Sequence, residues 1–316
     1  MTGRLVISID AELGWGNLKW HISGYRNNLR RVPEVTDQLL ELFQQHAVCS
    51  TWAIVSGMTF EDATSLRDFI VEVNHVVTSP TLQYVIYDGK YDPKCFFMPG
   101  LVHKLKIQPN VEIASHTFTH FECGKSGQDL ERFKEELRLS EVWERSNDLK
   151  CTSMVFPSNR WHARHIRELK NWNFQQFRGN PASWAKDANR MSQRIFRFAD
   201  SLINLSGHPI KESPGHVPIS NIAATRFLPA TSRFALLNSL RIRRIVDGMR
   251  NAAESGTIYH LWFHPHNLAG SQSGRLDLVR AVIEAFCELR QRHGMESVTM
   301  RDAAERLRSD CTVSPC

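Results

Sequence analysis

The stretch VEIASHTFTH, residues Val111 to His120, joins the pattern of a buried strand to an abrupt polar end. Its apolar run stops at Ser115 and is followed by two histidines, His116 and His120, four positions apart. Residues with this spacing share one face of a helical turn, so both imidazoles could reach a single metal ion. Solvated loop histidines are the commoner explanation, since the chain contains 14 histidines. The rest of the sequence must decide between a metal site and an ordinary loop.

Short apolar segments alternate with helical patterns along most of the chain. The predicted strands are RLVISID (4–10), AVCSTWAI (47–54), VEIASHT (111–117), TSMVFPS (152–158), FQQFRG (174–179) and TIYHLWFHPH (257–266). Apolar residues three and four positions apart predict helices at 32–46, 129–146, 163–172, 234–255 and 274–293. This alternation is typical of parallel strands joined by crossover helices, and it predicts an α/β fold with an irregular (β/α) barrel. Two long stretches rich in Pro, Gly and aromatic residues, 56–110 and 180–235, predict long loops at the barrel rim.

The composition is that of an ordinary globular protein. With 316 residues, 42% hydrophobic and 23% charged, the chain can bury one large core, and no repeat or linker marks a boundary, so residues 1–316 are interpreted as one domain. The N-terminal MTGRLVISID lacks the pattern of an export signal, and no segment is apolar enough to span a membrane. The seven cysteines form no C-x-x-C motif, so neither a disulfide framework nor a structural zinc site is indicated. These features predict a cytoplasmic protein.

The net charge of +6 is partly concentrated in one predicted helix, LRIRRIVDGMR, which carries Arg241, Arg243 and Arg244. A solvated helix face explains such a cluster, and a contact with a pyrophosphate or with an anionic membrane surface is the alternative. No zinc-finger spacing, glycine-aromatic RNA-binding signature or alternation of aromatic and basic residues is present, so no nucleic-acid partner is predicted.

Polar side chains follow three of the predicted strands. In a barrel of parallel strands the loops at the C-terminal ends converge, and functional residues gather there. The residues at these ends are Asp10 and Glu12 after the first strand, His116 and His120 after the third, and His264 and His266 after the last long strand. Asp10 and Glu12 are two positions apart and therefore lie on the same side of an extended chain. Carboxylates and imidazoles converging from separate strands favour a common site over ordinary loops.

These segments resemble the motifs of the NodB-homology polysaccharide deacetylases, which are metal-dependent sugar de-N-acetylases on an irregular β/α barrel. SIDAE resembles the acid pair after the family's first strand, HTFTH its two-histidine motif, and LWFHPHN its final strand-and-histidine motif. FPSNR keeps one proline of the third motif and departs from the rest. The resemblance extends from residue 4 to about 267 and implies a hydrolase acting on an acetamido sugar, in bacterial lipopolysaccharide or O-antigen biosynthesis.

A metal site can be assembled from three of these side chains. His116, His120 and Glu12 provide two neutral imidazoles and one carboxylate, a ligand set that leaves positions open on a divalent ion. Zinc is the favoured ion. It acidifies water and polarises an amide carbonyl, which is the chemistry that amide hydrolysis requires.

The reaction also needs a base and an acid. Asp10 is assigned as the base that takes the proton from water, and His264 as the acid that protonates the departing amine. The roles of Asp10 and Glu12 could be exchanged, because glutamate is the longer ligand arm. His266 is the alternative acid.

Supporting roles are assigned to four residues near the predicted strand ends. Arg178 or Arg160 replaces the arginine that the third motif lacks and orients the base, and a backbone N–H near Asn159 serves as an oxyanion donor. Trp15 stacks on a sugar ring, whereas Trp262 lies within a strand and is assigned to the core.

Three classes of function fit this sequence. The first is de-N-acetylation of an acetamido sugar presented on a nucleotide, a lipid carrier or a polymer. The second is hydrolysis of a non-sugar amide by the same metal site. The third is a barrel that binds glycan without catalysis, and the presence of both Asp10 and His264 argues against it.

Overall fold

A parallel β-sheet forms the centre of the molecule. The structure is a computed structural model that describes residues 2–16, 25–75, 79–124, 129–180, 196, 198–205, 207, 219–270 and 276–313. In these residues the strands are β1 (Arg4–Ala11), β2 (Ser50–Ile54), β3 (Val111–Ser115), β4 (Ser153–Val155), β5 (Gln176–Arg178), β6 (Ser220–Asn221), β7 (Arg226–Phe227), β8 (Ile258–Phe263) and β9 (Glu296–Val298). Their order in the sheet is β6-β5-β4-β3-β2-β1-β8-β7, with β9 also paired to β1. All described pairings are parallel.

The two ends of the sheet are joined by one segment, residues 219–228. Its first half pairs with β5, where Ile222 N donates to Phe177 O at 2.9 Å. Its second half pairs with β8, where Thr225 N donates to His260 O at 2.8 Å. This segment therefore curls the sheet into a barrel, and the predicted irregular (β/α) barrel is confirmed.

Helices surround the sheet. They are α1 (Arg26–Arg30), α2 (Val32–Gln45), α3 (Ala63–Glu72), α4 (Pro80–Gln83), α5 (Leu101–Lys106), α6 (Leu130–Ser146), α7 (Ala163–Glu168), α8 (Ala235–Ser255), α9 (Pro265–Leu268), α10 (Asp277–His293) and α11 (Met300–Val313). The predicted helices match α2, α6, α7, α8 and α10 to within a few residues at each end. Pro33 occupies the first turn of α2, where its missing N–H costs no hydrogen bond.

The predicted rim loop 56–110 is wrong over much of its length. Helices α3, α4 and α5 lie within it, and they bury Leu66 and Ile70 of α3 and Leu101 and Leu105 of α5 against the core. Apolar residues four positions apart form the buried faces of these short helices. Each face spans only about two turns, so its periodicity is hard to recognise in a sequence that also contains Pro and Gly. Of the second predicted loop, 180–235, residues 181–195 and 208–218 lie outside the described residues.

β1 is the central strand of the sheet. All eight of its residues are buried, because it pairs with β2, β8 and β9. Leu5, Ile7 and Ile9 face the helices and belong to the main core. The alternate residues face the barrel interior, where Val6 packs in a cluster that includes α11 residues such as Met300. Polar side chains are buried on both sides of this cluster, with Glu112 near the start of β3 bonded to Thr51 and Ser153, and Asp10 near the C-terminal end of β1.

The basic helix differs from its prediction at one position. Arg243 is 81% exposed, as a solvated face requires, but Arg244 is only 4% exposed and lies 3.8 Å from Asp200. Arg244 is therefore engaged in the protein interior and is not available to an anionic surface. Among the described residues no helix has the length and apolarity needed to cross a bilayer. The interpretation of residues 1–316 as one domain stays a prediction.

Candidate metal centre and active site

Three predicted ligands converge at the C-terminal ends of β1 and β3. Glu12, His116 and His120 each offer a ligand atom, and these atoms all lie within 4.8 Å of one another. Glu12 Oε2 is 2.9 Å from His120 Nε2 and 3.5 Å from His116 Nε2. In the described part of the chain this is the one such group of histidine, cysteine or carboxylate side chains.

The donor atoms fit a metal ion better than a hydrogen-bond network. His116 Nδ1 lies 2.7 Å from Val155 O and donates its proton there, which leaves Nε2 with a free lone pair. The Nε2 atoms of His116 and His120 are both buried and have no hydrogen-bond partner, although Glu12 is close to each. Buried polar atoms without a partner are costly, so their convergence on one carboxylate indicates a site built for a cation.

The pKa shifts favour the ligand forms of two of these groups. Burial raises the pKa of Glu12, but His264 and His120 lower it more, so it falls well below its usual range. Burial lowers the pKa of His116 and keeps its imidazole neutral. Burial also lowers the pKa of His120, but Glu12 outweighs that effect and raises it. A proton therefore competes with a cation for His120 more than it does for His116.

The loops that carry the site hold several residues in the left-handed backbone region. Leu13 follows the β1 carboxylates with φ of 45°, Thr117 and His120 have φ of 62° and 59°, and Ser158 and Asn159 after β4 have φ of 55° and 50°. Side chains with a Cβ rarely adopt such angles, and Thr117 is also β-branched. Strain of this kind persists where the surroundings impose it, and here it follows the ends of β1, β3 and β4.

Asp10 is fixed by an arginine from the opposite wall of the barrel. Arg178 of β5 donates to Asp10 Oδ1 at 2.6 Å and to Oδ2 at 2.7 Å. The same guanidinium donates to Ser8 Oγ at 3.0 Å and to Asn159 Oδ1 at 2.9 Å, and it is fully buried. Burial alone would raise the pKa of Asp10. The charge and hydrogen bonds of Arg178, together with His116 and His264, outweigh burial and lower this pKa below its ordinary value, so the carboxylate is ionised. The geometry therefore assigns Arg178 as the partner of Asp10.

Arg160, the other candidate for that role, does not reach Asp10. Its Nη1 donates to Glu122 at 3.0 Å, and its side chain is 55% exposed. The backbone N–H of Asn159 itself donates to Phe156 O at 2.9 Å, while its side chain accepts from Arg178. An oxyanion donor near Asn159 stays a prediction.

His264 is the histidine that faces the carboxylates. Its Nε2 lies 3.5 Å from Glu12 Oε1 and 3.8 Å from Asp10 Oδ2, and its side chain is 18% exposed. His266 is buried against the rings of His264 and Tyr25, and burial together with His264 lowers its pKa to about 4. The geometry therefore favours His264 over His266 as a proton donor.

The tryptophans are arranged differently from the prediction. Trp15 is 2% exposed and its indole N–H donates to Phe96 O at 2.8 Å, so it packs under the site and has no face open to a sugar. Trp262 is only partly buried, and its ring lies 5.6 Å from that of His264. Its position within a predicted strand favours the core, but its side chain lies beside Arg178 in the barrel.

Sequence reasoning missed two residues that support the ligands. Glu136 of α6 is buried and accepts hydrogen bonds from Thr119 N at 2.8 Å and Thr119 Oγ1 at 2.6 Å, between the two ligand histidines. Its signal in the sequence was an acidic residue on the apolar face of the predicted helix 129–146. Gly16 lies so close to Glu12 that an added Cβ would fall 2.4 Å from the carboxylate carbon.

No protein-family model and no curated protein sequence matches the chain. The first similar solved structure is a protein from Mycobacterium smegmatis assigned as a polysaccharide deacetylase, with a TM-score of 0.58, 14% identity, and coverage of 98% of this chain and 91% of that chain. The alpha-amylase AmyC from Thermotoga maritima follows, with a TM-score of 0.58, 11% identity, and coverage of 96% of this chain and 75% of the amylase. A branching enzyme from Thermococcus kodakaraensis has a TM-score of 0.56 and 12% identity, over 96% of this chain and 71% of the enzyme.

At these identities the similarity is one of fold. The chain has the (β/α) barrel found in the assigned polysaccharide deacetylase, and the resemblance seen in the sequence motifs is confirmed at that level. The same barrel also occurs in an alpha-amylase and a branching enzyme, so the fold leaves the reaction to be argued from the site.

Proposed function

We propose that this protein is a metal-dependent hydrolase that removes the acetyl group from an acetamido sugar. The observation that carries the proposal is the buried triad of Glu12, His116 and His120, whose two Nε2 atoms lack hydrogen-bond partners. Asp10 and His264 adjoin this triad, so the groups needed for amide hydrolysis meet in one place.

Glu12, His116 and His120 would hold a divalent ion, and zinc suits two imidazoles and one carboxylate. Such an ion supplies an acidified water molecule and a polarised amide carbonyl.

Asp10 accepts the proton of the attacking water. It is suited to this because Arg178 keeps it ionised and fixes the plane of its carboxylate. Each oxygen retains a second lone pair, and Oδ2 is the one that faces His264. Glu12 is closer to the ligand histidines than Asp10 is, so we assign Glu12 as ligand and Asp10 as base.

His264 donates a proton to the departing amine. As an imidazolium, His264 would carry a proton on Nε2 and would return to a neutral imidazole on giving that proton away. That nitrogen is the one directed toward Glu12 and Asp10. An amide cannot expel an unprotonated amine at neutral pH, so this proton transfer completes the reaction.

The site does not suit the glycoside hydrolysis suggested by the name of the similar amylase. That reaction requires one carboxylic acid that is protonated before the leaving group departs. The pKa values of both Asp10 and Glu12 are lowered, by Arg178 and by the histidines, so both are ionised. Neither Asp10 nor Glu12 can therefore act as the protonated carboxylic acid that glycoside hydrolysis requires.

The acetamido sugar is proposed to be a cytoplasmic precursor of a bacterial surface glycan, such as lipopolysaccharide or O-antigen, carried on a nucleotide or a lipid. This part of the proposal rests on the resemblance of the motifs SIDAE, HTFTH and LWFHPHN to those of the deacetylase family. A polymeric sugar is the alternative carrier.

The proposal is tested by measuring metal binding and acetate release in parallel. Zinc is titrated calorimetrically into metal-free wild type, His116→Ala and His120→Ala, with the exposed His103→Ala as a matched control. Acetate release is then measured over acetamido sugars in nucleotide-linked, lipid-linked and polymeric forms. We expect the two ligand variants to lose both zinc and activity, and His103→Ala to keep both.

Full zinc affinity in both ligand variants would refute the metal site. Zinc binding without release of acetate from any sugar would reject the deacetylase, and release from a simple non-sugar amide alone would favour the second class of function.

A further inference from the structure

His264 has the most exposed side chain at the site. The side chains of Asp10, Glu12, His116 and His120 are 4%, 7%, 1% and 6% exposed. The His264 side chain is 18% exposed. The residues around the His264 ring therefore border the most exposed part of the site.

Two aromatic side chains border this ring. Trp262 lies near the C-terminal end of β8 and His264 directly follows that strand, with their ring centroids 5.6 Å apart. Phe227 of β7 lies 5.7 Å from the His264 ring and 4.5 Å from the Trp262 ring. All three rings thus touch one another, and both Phe227 and Trp262 are partly exposed.

Arg178, the partner of Asp10, contacts the Trp262 ring. The Arg178 guanidinium lies 4.4 Å from the centroid of the Trp262 ring, which fixes the indole by a cation–π contact. Because Arg178 is also bonded to Asp10, the aromatic pair has a fixed position relative to the base. Among the described contacts, Phe227 has no cation–π partner. It lies on the two-residue strand β7, which pairs with β8 next to Trp262.

We propose that Phe227 and Trp262 form a binding subsite for the apolar face of a pyranose ring, next to His264. The inference rests on the proposed function, because the nitrogen that His264 protonates is bonded directly to a ring carbon of the sugar. The ring must then lie within a few ångströms of the His264 imidazole, and this is where the two aromatic rings are. The C–H face of a pyranose packs against a flat aromatic surface, which supplies affinity without charge.

The subsite predicts that the enzyme selects a cyclic amine leaving group. Removing the Phe227 ring should weaken binding of the sugar more than it slows the chemical step, because Phe227 touches neither Asp10 nor the ligand triad in the described contacts. A loss of one aromatic contact corresponds to a rise in KM of up to about tenfold.

The experiment compares wild type, Phe227→Ala and Phe227→Tyr, with Phe234→Ala as the control, since Phe234 is an exposed aromatic residue that contacts Arg233 instead. KM and kcat are measured with N-acetylglucosamine derivatives, and melting temperature reports folding. Saturation-transfer NMR with N-acetylglucosamine on the metal-free proteins measures contact with the sugar ring protons independently of turnover. We expect Phe227→Ala to raise KM more than it lowers kcat and to lose ring saturation, Phe227→Tyr to restore both, and Phe234→Ala to resemble wild type.

The outcomes separate this inference from the proposed function. Equal KM and equal ring saturation in folded Phe227→Ala and wild type would overturn the subsite and leave the deacetylase standing. Absence of acetate release together with ring saturation that depends on Phe227 would reject the deacetylase and retain the sugar subsite. Absence of ring saturation in wild type would overturn the subsite directly.

Discussion

Arg178 of β5 and Asp10 of β1 form a bidentate ion pair across the barrel, with N–O distances of 2.6 and 2.7 Å. Both side chains are almost fully buried, so the pair is shielded from solvent and salt. A buried pair of this kind stabilises a protein little in itself, but removal of one partner leaves an uncompensated charge. Its contribution here is to fix one protonation state and one orientation of the base.

The base and its partner should be separable from metal binding. We expect Asp10→Asn to lower kcat by a factor on the order of 10² to 10⁴, the usual cost of losing general-base catalysis, while zinc affinity stays near that of wild type. Arg178→Lys should also lower kcat, because one ammonium group cannot reproduce the fork on Asp10 or the bond to Asn159. Zinc titration and steady-state kinetics check both.

Arg160→Lys is the matched control, since that guanidinium pairs with Glu122 on the surface. If Asp10→Asn loses zinc while Glu12→Gln keeps it, the ligand and the base have been exchanged. Asp10→Asn also leaves Arg178 without its counter-charge, which costs up to about 3–5 kcal/mol, so unfolding must be measured alongside.

Gly16 should be required for the ligand position of Glu12. In Gly16→Ala the new Cβ would lie 2.4 Å from the Glu12 carboxylate carbon, and the flexible side chain of Glu12 would have to move away. We expect the protein to fold but to bind zinc about 10–100-fold more weakly, the range found when residues that orient metal ligands are changed.

Gly124→Ala serves as the control for the added methyl group, because its Cβ would meet the nearest atom of Asp129 at 3.3 Å. Calorimetric zinc titration of the two variants measures the difference. Unchanged zinc affinity in Gly16→Ala would mean that Glu12 is not a ligand or can bind from another rotamer.

Glu136 should hold the loop between the ligand histidines. Its carboxylate accepts both hydrogen bonds from Thr119, and the loop contains the left-handed residues Thr117 and His120. Glu136→Ala releases this strained loop, so we expect zinc affinity to fall by about 10–100-fold. Glu136→Gln, which can accept from Thr119 N and donate to Thr119 Oγ1, should recover most of it.

The measurement is zinc affinity with a melting curve for each variant. A purely structural role for Glu136 would lower the melting temperature of both variants and leave the zinc affinity of the folded protein unchanged.

Glu144 should make the protein less stable as the pH rises from about 4.5 to 7. Burial raises its pKa from 4.5 to about 7, although it accepts a hydrogen bond from Cys151 N at 3.0 Å. The native state therefore retains a proton that the unfolded chain has released, so the stabilisation is complete below the unfolded pKa and is lost as pH passes through the native one.

Glu144→Gln removes this titration, and its stability should fall less over that interval, by on the order of 1–3 kcal/mol relative to wild type. Urea unfolding at a series of pH values checks the slope. Glu131→Gln, on the same helix with an 84% exposed side chain, is the control and should follow wild type. Parallel slopes for Glu144→Gln and wild type would contradict the assignment.

The parts of the site that depend on local sequence were predictable. Glu12, His116 and His120 each follow an apolar strand pattern directly, and parallel strands bring their C-terminal ends to one rim whatever the loops do. The order of strands in the sheet was not needed to place them together. The helical periodicity of α6 and α8 also depends only on neighbouring residues, and the bounds of both helices agree closely with the prediction.

The remaining contacts depend on the three-dimensional arrangement. Whether Arg178 or Arg160 reaches Asp10 is decided by which side chain points inward, and Ser158 and Asn159 turn the chain through left-handed angles between strand and loop. No pattern of residue types specifies those angles. β9 and α11 were not predicted, because Glu296–Val298 is too short to show a strand period.

The pairing of β1 with β8 joins residues 254 positions apart, as in Arg4 with Ile258. A ribosome adds roughly 5–20 residues per second, so β1 emerges about 10–50 seconds before the strand that flanks it. During that interval the edge of β1 that pairs with β8 has no partner. Assembly of the rim that carries the proposed metal site is therefore a late event in biosynthesis, and a chain stalled before β8 would contain Glu12, His116 and His120 without the strand that completes the wall.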